Sequence, residues 1–346
     1  MSDTTRQTGT APLAGRFDIG NVWHLLPWVL ALAFFYHQYT FDGGYLGLGR
    51  TVLIAVLFTL SVDLALGYAG IVTLGHAAFY GFAAYAAGAL AAKLGPDYPA
   101  LKDPIIGLLF GTALAALLGF ITGMLILHTE GVTIMMLTLA IAEILRQIAN
   151  QWRSVTGGDD GLSGIRVTEL LGVWRFDLYG KTAFLYCLAV LFVWFLISWR
   201  VVHSPFGRSL DGIRQNPRRM RAIGTPVWWR LVAMYTISAA MAGSAGALDA
   251  QTTRLVGLSV LDLLKSGIVV VMLVLGGERR LYGAFIGVLL YTVIEHYASE
   301  KDPFYWQFFI GILLMALVLF FEGGIMGIID RFWPGRRKAK SEGGAP

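Results

Sequence analysis

The chain is a succession of ten apolar runs, at about 22–41, 46–67, 71–92, 104–127, 131–149, 181–199, 228–250, 263–276, 281–297 and 304–329. Crossing a hydrocarbon core of about 30 Å at about 1.5 Å per residue takes about 20 residues, and most of these runs reach that length. A span in lipid must satisfy its own backbone polar groups, which runs this long do as helices. The expected fold is therefore an all-α polytopic membrane protein of about ten transmembrane helices. A soluble helical protein is excluded by charge: only 14% of residues are charged, against about 25% in soluble chains. The eighth run is the shortest and the weakest as a full span.

Punctuation agrees with these limits. Of eleven prolines only Pro27 lies well inside a run; Pro96, Pro99, Pro104, Pro205, Pro217, Pro226 and Pro303 sit in connections or at helix starts, where the missing N–H costs least. Basic residues set the orientation. The connection around 200–230 holds Arg200, Arg208, Arg214, Arg218, Arg219, Arg221 and Arg230 against one acid, Asp211. Arg279 and Arg280 mark a second basic turn, and Arg331, Arg336, Arg337, Lys338 and Lys340 a basic tail. All three face the cytoplasm if ten spans alternate with both termini inside. The net charge of +5 thus reads as topology, with membrane lipid and not nucleic acid as the partner. Residues 1–20 lack a signal-peptide pattern and read as a disordered cytoplasmic tail. The expected layout is that tail, a membrane domain over 21–330 with a cytoplasmic loop at 203–226, and a basic tail over 331–346.

Glycine spacing points to tight helix packing. Gly107 and Gly111, then Gly119 and Gly123, recur on the fourth run, and Gly283 and Gly287 on the ninth; such spacings let backbones approach closely in lipid. The third run (GHAAFYGFAAYAAGALAA) and the seventh (ISAAMAGSAGALDA) are both rich in Ala and Gly, which suggests two related halves, spans two to five and seven to ten.

Enzyme motifs fail. Gly180-Lys181-Thr182 imitates the end of a phosphate-binding loop, but Arg175 stands where its first glycine belongs. There is no HExxH or GxSxG pattern, no histidine cluster for a metal, and no disulfide framework, since Cys187 is the single cysteine. No catalytic residue, metal or cofactor is expected in this chain. Charged residues within spans are more informative because lipid penalises them. Asp63 lies in the second run and Asp249 near the end of the seventh; Glu143 and Arg146 share a face of the fifth and could pair. The stretch GYAGIVTLGHAAFYG sets Gly67, Gly70, Gly75 and Gly81 around His76. Glycines there permit either a tight turn or an unwound, re-entrant backbone that lines a pathway. Gly67, Tyr68, Gly70, Gly75, His76 and Glu143 are the pathway candidates. The outer loop TGGDDGLSG, with Thr156, Gly157, Gly158, Asp160 and Gly161, reads as a rigid turn with an acidic rim. In 203–226, Pro205 starts and Pro217 interrupts two short helical pieces, with Phe206, Leu210 and Ile213 at helical spacing. Such a segment lies on headgroups or plugs into a partner protein.

Three blocks, GYAGIVTLGHAAFYGFAAY, LTLAIAEILRQIANQWRSVTGGDDGLSGI and SPFGRSLDGIRQN…AIG, resemble in order and spacing the LivM-type permeases of branched-chain amino acid ABC importers. The resemblance extends over about 46–330. It implies a type II importer-like bundle in the bacterial cytoplasmic (inner) membrane, without an ATPase of its own. It also implies as partners a second, LivH-type permease, two cytoplasmic ABC ATPases that bind ATP and magnesium, and an extracytoplasmic substrate-binding protein. The 203–224 loop then carries the coupling helix, with Phe206, Gly207, Arg208, Asp211, Arg214 and Asn216 docking on an ATPase. Two departures bear on partner fit: Pro217, Arg218, Arg219 and Arg221 follow the coupling block, and GGERRLYG carries Glu278-Arg279-Arg280 where the family favours a glycine-rich turn. Relatives carry leucine-like amino acids, urea, short amides or aromatic acids, and LGHAAFYG is closer to the amino acid branch than to the urea branch. The rival reading is a proton-coupled secondary transporter with Asp63 and Glu143 as carriers.

Overall fold

The computed structural model describes residues 26–40, 45–94, 98–129, 131–165, 167–168, 180–301, 308 and 311–312. The expected tails at 1–20 and 331–346, and nearly all of the tenth run, lie outside the described residues. Within these limits the chain is helical without a strand; its one isolated bridge is antiparallel, between Leu162 and Val256.

Each of the first nine runs contains a helix: α1 Leu26–Thr40, α2 Leu46–Val62, α3 His76–Ala89, α4 Pro104–Ile126, α5 Val132–Gln151, α7 Lys181–His203, α10 Val227–Thr253, α11 Leu263–Gly276 and α12 Leu281–Lys301. Between them lie α6 Arg153–Thr156, α8 Pro205–Gln215 and α9 Pro217–Ala222. Among the described residues, six helices are long and apolar enough to cross a membrane: Leu46–Tyr68, α4, α5, α7, α10 and α12. Prolines start helices where their missing donor is harmless. Asp103 accepts from the Ile105 N–H at 2.9 Å ahead of α4, Ser204 from Gly207 at 3.3 Å ahead of α8, and Asn216 from Arg219 at 3.0 Å ahead of α9.

Two details depart from the sequence reading. Helix α2 widens into a π-helical turn, Asp63–Tyr68, and α3 into another, Leu90–Leu94. The third helix starts at His76 and not near 71, because residues 70–75 run non-helically from Gly70, whose φ of +72° favours glycine.

Helices α2 and α10 form the centre, most of each span being buried, while α5 is peripheral and little of it is buried. Close packing on α10 rests on small residues. A β-carbon on Gly246 would stand 1.9 Å from the Tyr80 carbonyl oxygen of α3, and one on Gly243 would stand 2.2 Å from the Ala115 β-carbon of α4. The two Ala/Gly-rich runs therefore pack directly on each other. Helices α11 and α12 meet the same way, Gly276 against the Gly283 carbonyl and Gly287 against that of Met272. Polar ties reinforce the contacts: Thr112 to Ser244 at 2.8 Å, and Gln251 Nε2 donating to the Pro104 carbonyl at 2.8 Å. Helix α1 attaches through Trp28, edge-on to Phe192, Phe195 and Phe285 at 4.9, 5.3 and 5.5 Å.

Candidate functional site

The segment 70–75 re-enters the bundle with its backbone unspent on helix, so side chains must satisfy it. The Leu74 N–H donates to Thr138 Oγ1 of α5 at 3.3 Å, Gly75 N–H to Thr73 Oγ1 at 3.3 Å, and Ala77 N–H to Ser266 Oγ of α11 at 2.9 Å. Gly75 lies so close to α5 that a β-carbon there would meet the Thr138 carbonyl oxygen at 2.2 Å. His76, 1% exposed, is 2.7 Å from Ser238 Oγ of α10 and 3.4 Å from Thr73 Oγ1. Ser238 gives its proton to the Ser61 carbonyl at 2.6 Å. The His76 Nε2–H is therefore the donor to Ser238, and Nδ1 accepts from Thr73. This net joins α2, α3, α5, α10 and α11 in one polar core. Ser238→Ala leaves the buried Nε2–H without its partner, at about 1–3 kcal/mol. A lowered unfolding midpoint in detergent is expected, and an unchanged one would contradict this hydrogen-bond assignment.

Of the pathway candidates, Gly67, Tyr68, Gly75 and His76 are buried in the described bundle, while Gly70 and Glu143 are exposed. Glu143 pairs along α5 with Arg146, at 2.5 and 2.9 Å. The same side of α5 exposes Met136, Ala140, Ile144 and Gln147, so a peripheral helix of a membrane bundle presents an ion pair and an amide outward.

At the end of the bundle that carries α8 and α9, the coupling candidates divide. Leu210 and Ile213 are buried against the bundle at 0% and 2% exposure. Gly207 is a close-approach glycine, its missing β-carbon 2.1 Å from the Val202 carbonyl oxygen. Asp211 and Arg214 turn to their own chain. Arg214 donates to the Gly67 carbonyl and lies 3.7 Å from Glu278; Asp211 pairs with Arg279. Arg208 and Asn216 are exposed and Phe206 partly so, with Arg218 and Arg219 alongside. Asp63, fully buried, accepts from the Arg279 backbone N–H at 2.9 Å, and the Tyr68 hydroxyl donates to the Arg279 carbonyl at 3.0 Å. The Glu278-Arg279 departure noted in the sequence is thus engaged within the chain.

At the opposite end, the glycine loop is folded by left-handed glycines and local hydrogen bonds. Gly157, Gly158 and Gly161 hold φ of +80°, +62° and +74°. Thr156 Oγ1 donates to the Ala149 carbonyl, and Leu162 exchanges backbone hydrogen bonds of 2.8 and 3.0 Å with Val256. Asp159 and Asp160 stay exposed on the rim, Asp159 3.6 Å from Arg153. A methyl at Gly161 would come 2.7 Å from the Val256 carbonyl oxygen. Gly161→Ala therefore adds a close contact to a positive φ, at about 1–3 kcal/mol. Faster proteolysis of 150–165 is expected, and wild-type resistance would count against a rigid loop.

The sequence reading missed Lys265, which lies 3.7 Å from Asp249 and 4.0 Å from the Tyr80 ring centroid. Its signal was available: Lys265 is the single basic residue in the eighth run. The partners Thr138, Ser238 and Ser266 carry no comparable signal, since hydroxyls within apolar runs are common.

The family described as the permease component of the branched-chain amino acid transport system matches residues 45–318. The chain is 26% identical over 321 residues to the high-affinity branched-chain amino acid transport system permease protein LivM of Escherichia coli (strain K12), covering 86% of this chain and 73% of that one. It is 24% identical over 310 residues to the probable LivM of Methanocaldococcus jannaschii, covering 77% and 88%. It is also 26% identical over 326 residues to the galactose/methyl galactoside import permease protein MglC of Salmonella typhimurium, covering 87% and 93%. No solved structure matches significantly.

Proposed function

This chain belongs to the permease-component family of branched-chain amino acid transport systems and is a LivM-type permease; from that premise we propose that it forms half of the solute pathway of an ATP-driven importer for branched-chain or related amino acids. It is an integral membrane transport subunit. Its full form has ten spans in the type II arrangement, tails at 1–20 and 331–346, and both termini in the cytoplasm of a bacterial inner membrane. A LivH-type permease completes the pathway, two ABC ATPases hold ATP and magnesium, and a binding protein delivers the solute outside. ATP binding and hydrolysis at the partners shift the permease pair between inward- and outward-facing states.

The observation that carries this reading is the construction of α8 and α9. Helix α8 buries Leu210 and Ile213 on the bundle, α9 follows it with no buried residue, and the two capped helices expose Phe206 in part and Arg208, Asn216, Arg218 and Arg219 more fully. An exposed basic ledge of this kind offers a face to a partner protein, the place of an ATPase in this reading. The outward face of α5 supports the pathway half. Lipid disfavours Glu143, Arg146 and Gln147 mid-helix, and a second permease across a hydrated path accommodates them. The proton-coupled alternative is not favoured, because the family and the similar proteins are permeases of import systems and Glu143 is paired with Arg146. Similarity to a galactoside permease makes the cargo the finer question. The amino acid assignment rests on the LivM relatives and the block 67–81.

Gentle detergent extraction of the tagged chain from native membranes tests the assembly. Recovery of two P-loop ATPases and a second hydrophobic subunit is expected. A clean homo-oligomer, under conditions that preserve known ABC complexes, would overturn the importer reading.

A further inference from the structure

Three elements distant in sequence converge beside α8: the π-helical turn Asp63–Tyr68, α8 itself, and the turn 277–280 between α11 and α12. Arg214 of α8 grips the first through the Gly67 carbonyl and reaches the third through Glu278 at 3.7 Å. Arg279 of the third grips α8 through Asp211, while its backbone is held on the first by Asp63 at 2.9 Å and Tyr68 at 3.0 Å. Each element is thus tied to both of the others. Local geometry serves the ties: Arg279 adopts φ +64° and Gly277 φ +103°, which turn the chain back onto Asp63. Gly70 at φ +72° leaves room for the Arg214 side chain, whose γ-carbon would be 3.0 Å from a β-carbon there.

We propose that Arg214 and Arg279 are crossed clamps that transmit movement of α8 to the π-helical turn of α2 and to the start of α12, making Asp63, Asp211, Glu278 and Arg279 positioning residues of transport. This rests on the importer reading, since it presupposes an ATPase that moves α8. Charge-assisted bonds to a backbone carbonyl and to carboxylates are shorter and about twice as strong as neutral ones, so they hold the three elements together as α8 moves. The element they pull on can yield. The π-helical turn is wider than an α-helix and closes the α2 span just before the non-helical segment 70–75, so displacing the Gly67 carbonyl can move the end of the span without breaking the α-helix before it. The second carboxylate oxygen of Asp63 is buried with no hydrogen-bond partner in the structure. It is an acceptor already in place for an arginine N–H that leaves its present partner as α8 moves. The segment 70–75, with its hydroxyl net to α5, α10 and α11, begins directly beyond the pulled turn.

The test uses the assembled complex in proteoliposomes, reading uptake per ATP hydrolysed for Asp211→Arg, Arg279→Asp and the double exchange. Either single reversal is expected to lower the ratio about tenfold, the effect of one charge-assisted contact, while the ATPases still co-purify. The double exchange, which rebuilds the pair with opposite polarity, is expected to recover most of the loss. If the reversals prevent assembly, Asp211→Asn and Arg279→Gln supply the same readout. An unchanged ratio in intact complexes, or a double exchange no better than the singles, overturns the clamp and leaves the importer reading standing. Failure of the wild-type chain to bring down ATPases is a different outcome and overturns the importer reading itself.

Discussion

Gly246→Leu is expected to abolish accumulation of the folded chain in the membrane. A single β-carbon at this position already falls 1.9 Å from the Tyr80 carbonyl oxygen and 2.7 Å from its carbonyl carbon. The obstruction is backbone and cannot rotate away. Relief requires α3 and α10 to separate, and α10 is a central helix, most of its span buried. Forcing extra methylenes into a packed core costs about 1–3 kcal/mol, and more where backbone must shift, against a total stability of about 5–15 kcal/mol. Separation would also pull Ser238 away from His76 and Ser61. Fluorescence-detected size-exclusion of a tagged chain checks this: loss of the monodisperse peak is expected for Gly246→Leu, with Gly246→Ala intermediate. Gly47→Ala is the control, because nothing lies within 4 Å of a β-carbon there. Equal damage from both substitutions would mean that the close α3–α10 approach is not what the glycine serves.

The second large effect is functional. Arg208→Glu is expected to reduce ATP-dependent uptake about tenfold or more, with the protein folded to its normal level. Arg208 lies exposed on α8, so its replacement leaves the packing of Leu210 and Ile213 intact. At an interface, reversing a charge sets like charges together, which costs several kcal/mol and suppresses the encounter. Uptake in membrane vesicles, read beside thermal stability in detergent, separates the two effects. Normal uptake in this variant would sink the docking role of α8. Arg214→Glu is a poorer probe of docking, since Arg214 holds Gly67 and faces Glu278 within the chain.

These variants also mark where sequence reasoning stopped. The two helical pieces at 205 and 217 were legible because proline and its preceding cap residue act locally; Ser204 and Asn216 take those roles. The Glu143–Arg146 pair was legible for the same reason, being three residues apart on one helix. The direction of Asp211 and Arg214 was not, because alternation along an amphipathic helix distinguishes inside from outside but does not identify what lies inside. Their partners are 68 and 147 residues away. Asp63 reads in sequence as a charge within a span. Its role as acceptor for the Arg279 N–H exists only once the turn 277–280 has folded back on it.

What the sequence determined by itself is the position of the apolar helices and most of their limits, though not the start of α3 at His76. Lipid and backbone sterics act on local stretches of chain, and length, proline and glycine report them directly. Whether GYAGIVTLGH is a turn or a re-entrant strand of backbone was decided by tertiary structure alone. The N–H groups of 74–77 need acceptors, and those acceptors, Thr138 and Ser266, come from α5 and α11, with Thr73 adding one from the segment itself. A hydroxyl becomes a partner only when packing brings it within about 3 Å, and α5 and α11 reach the segment only through the close helix contacts that bare glycine backbone allows.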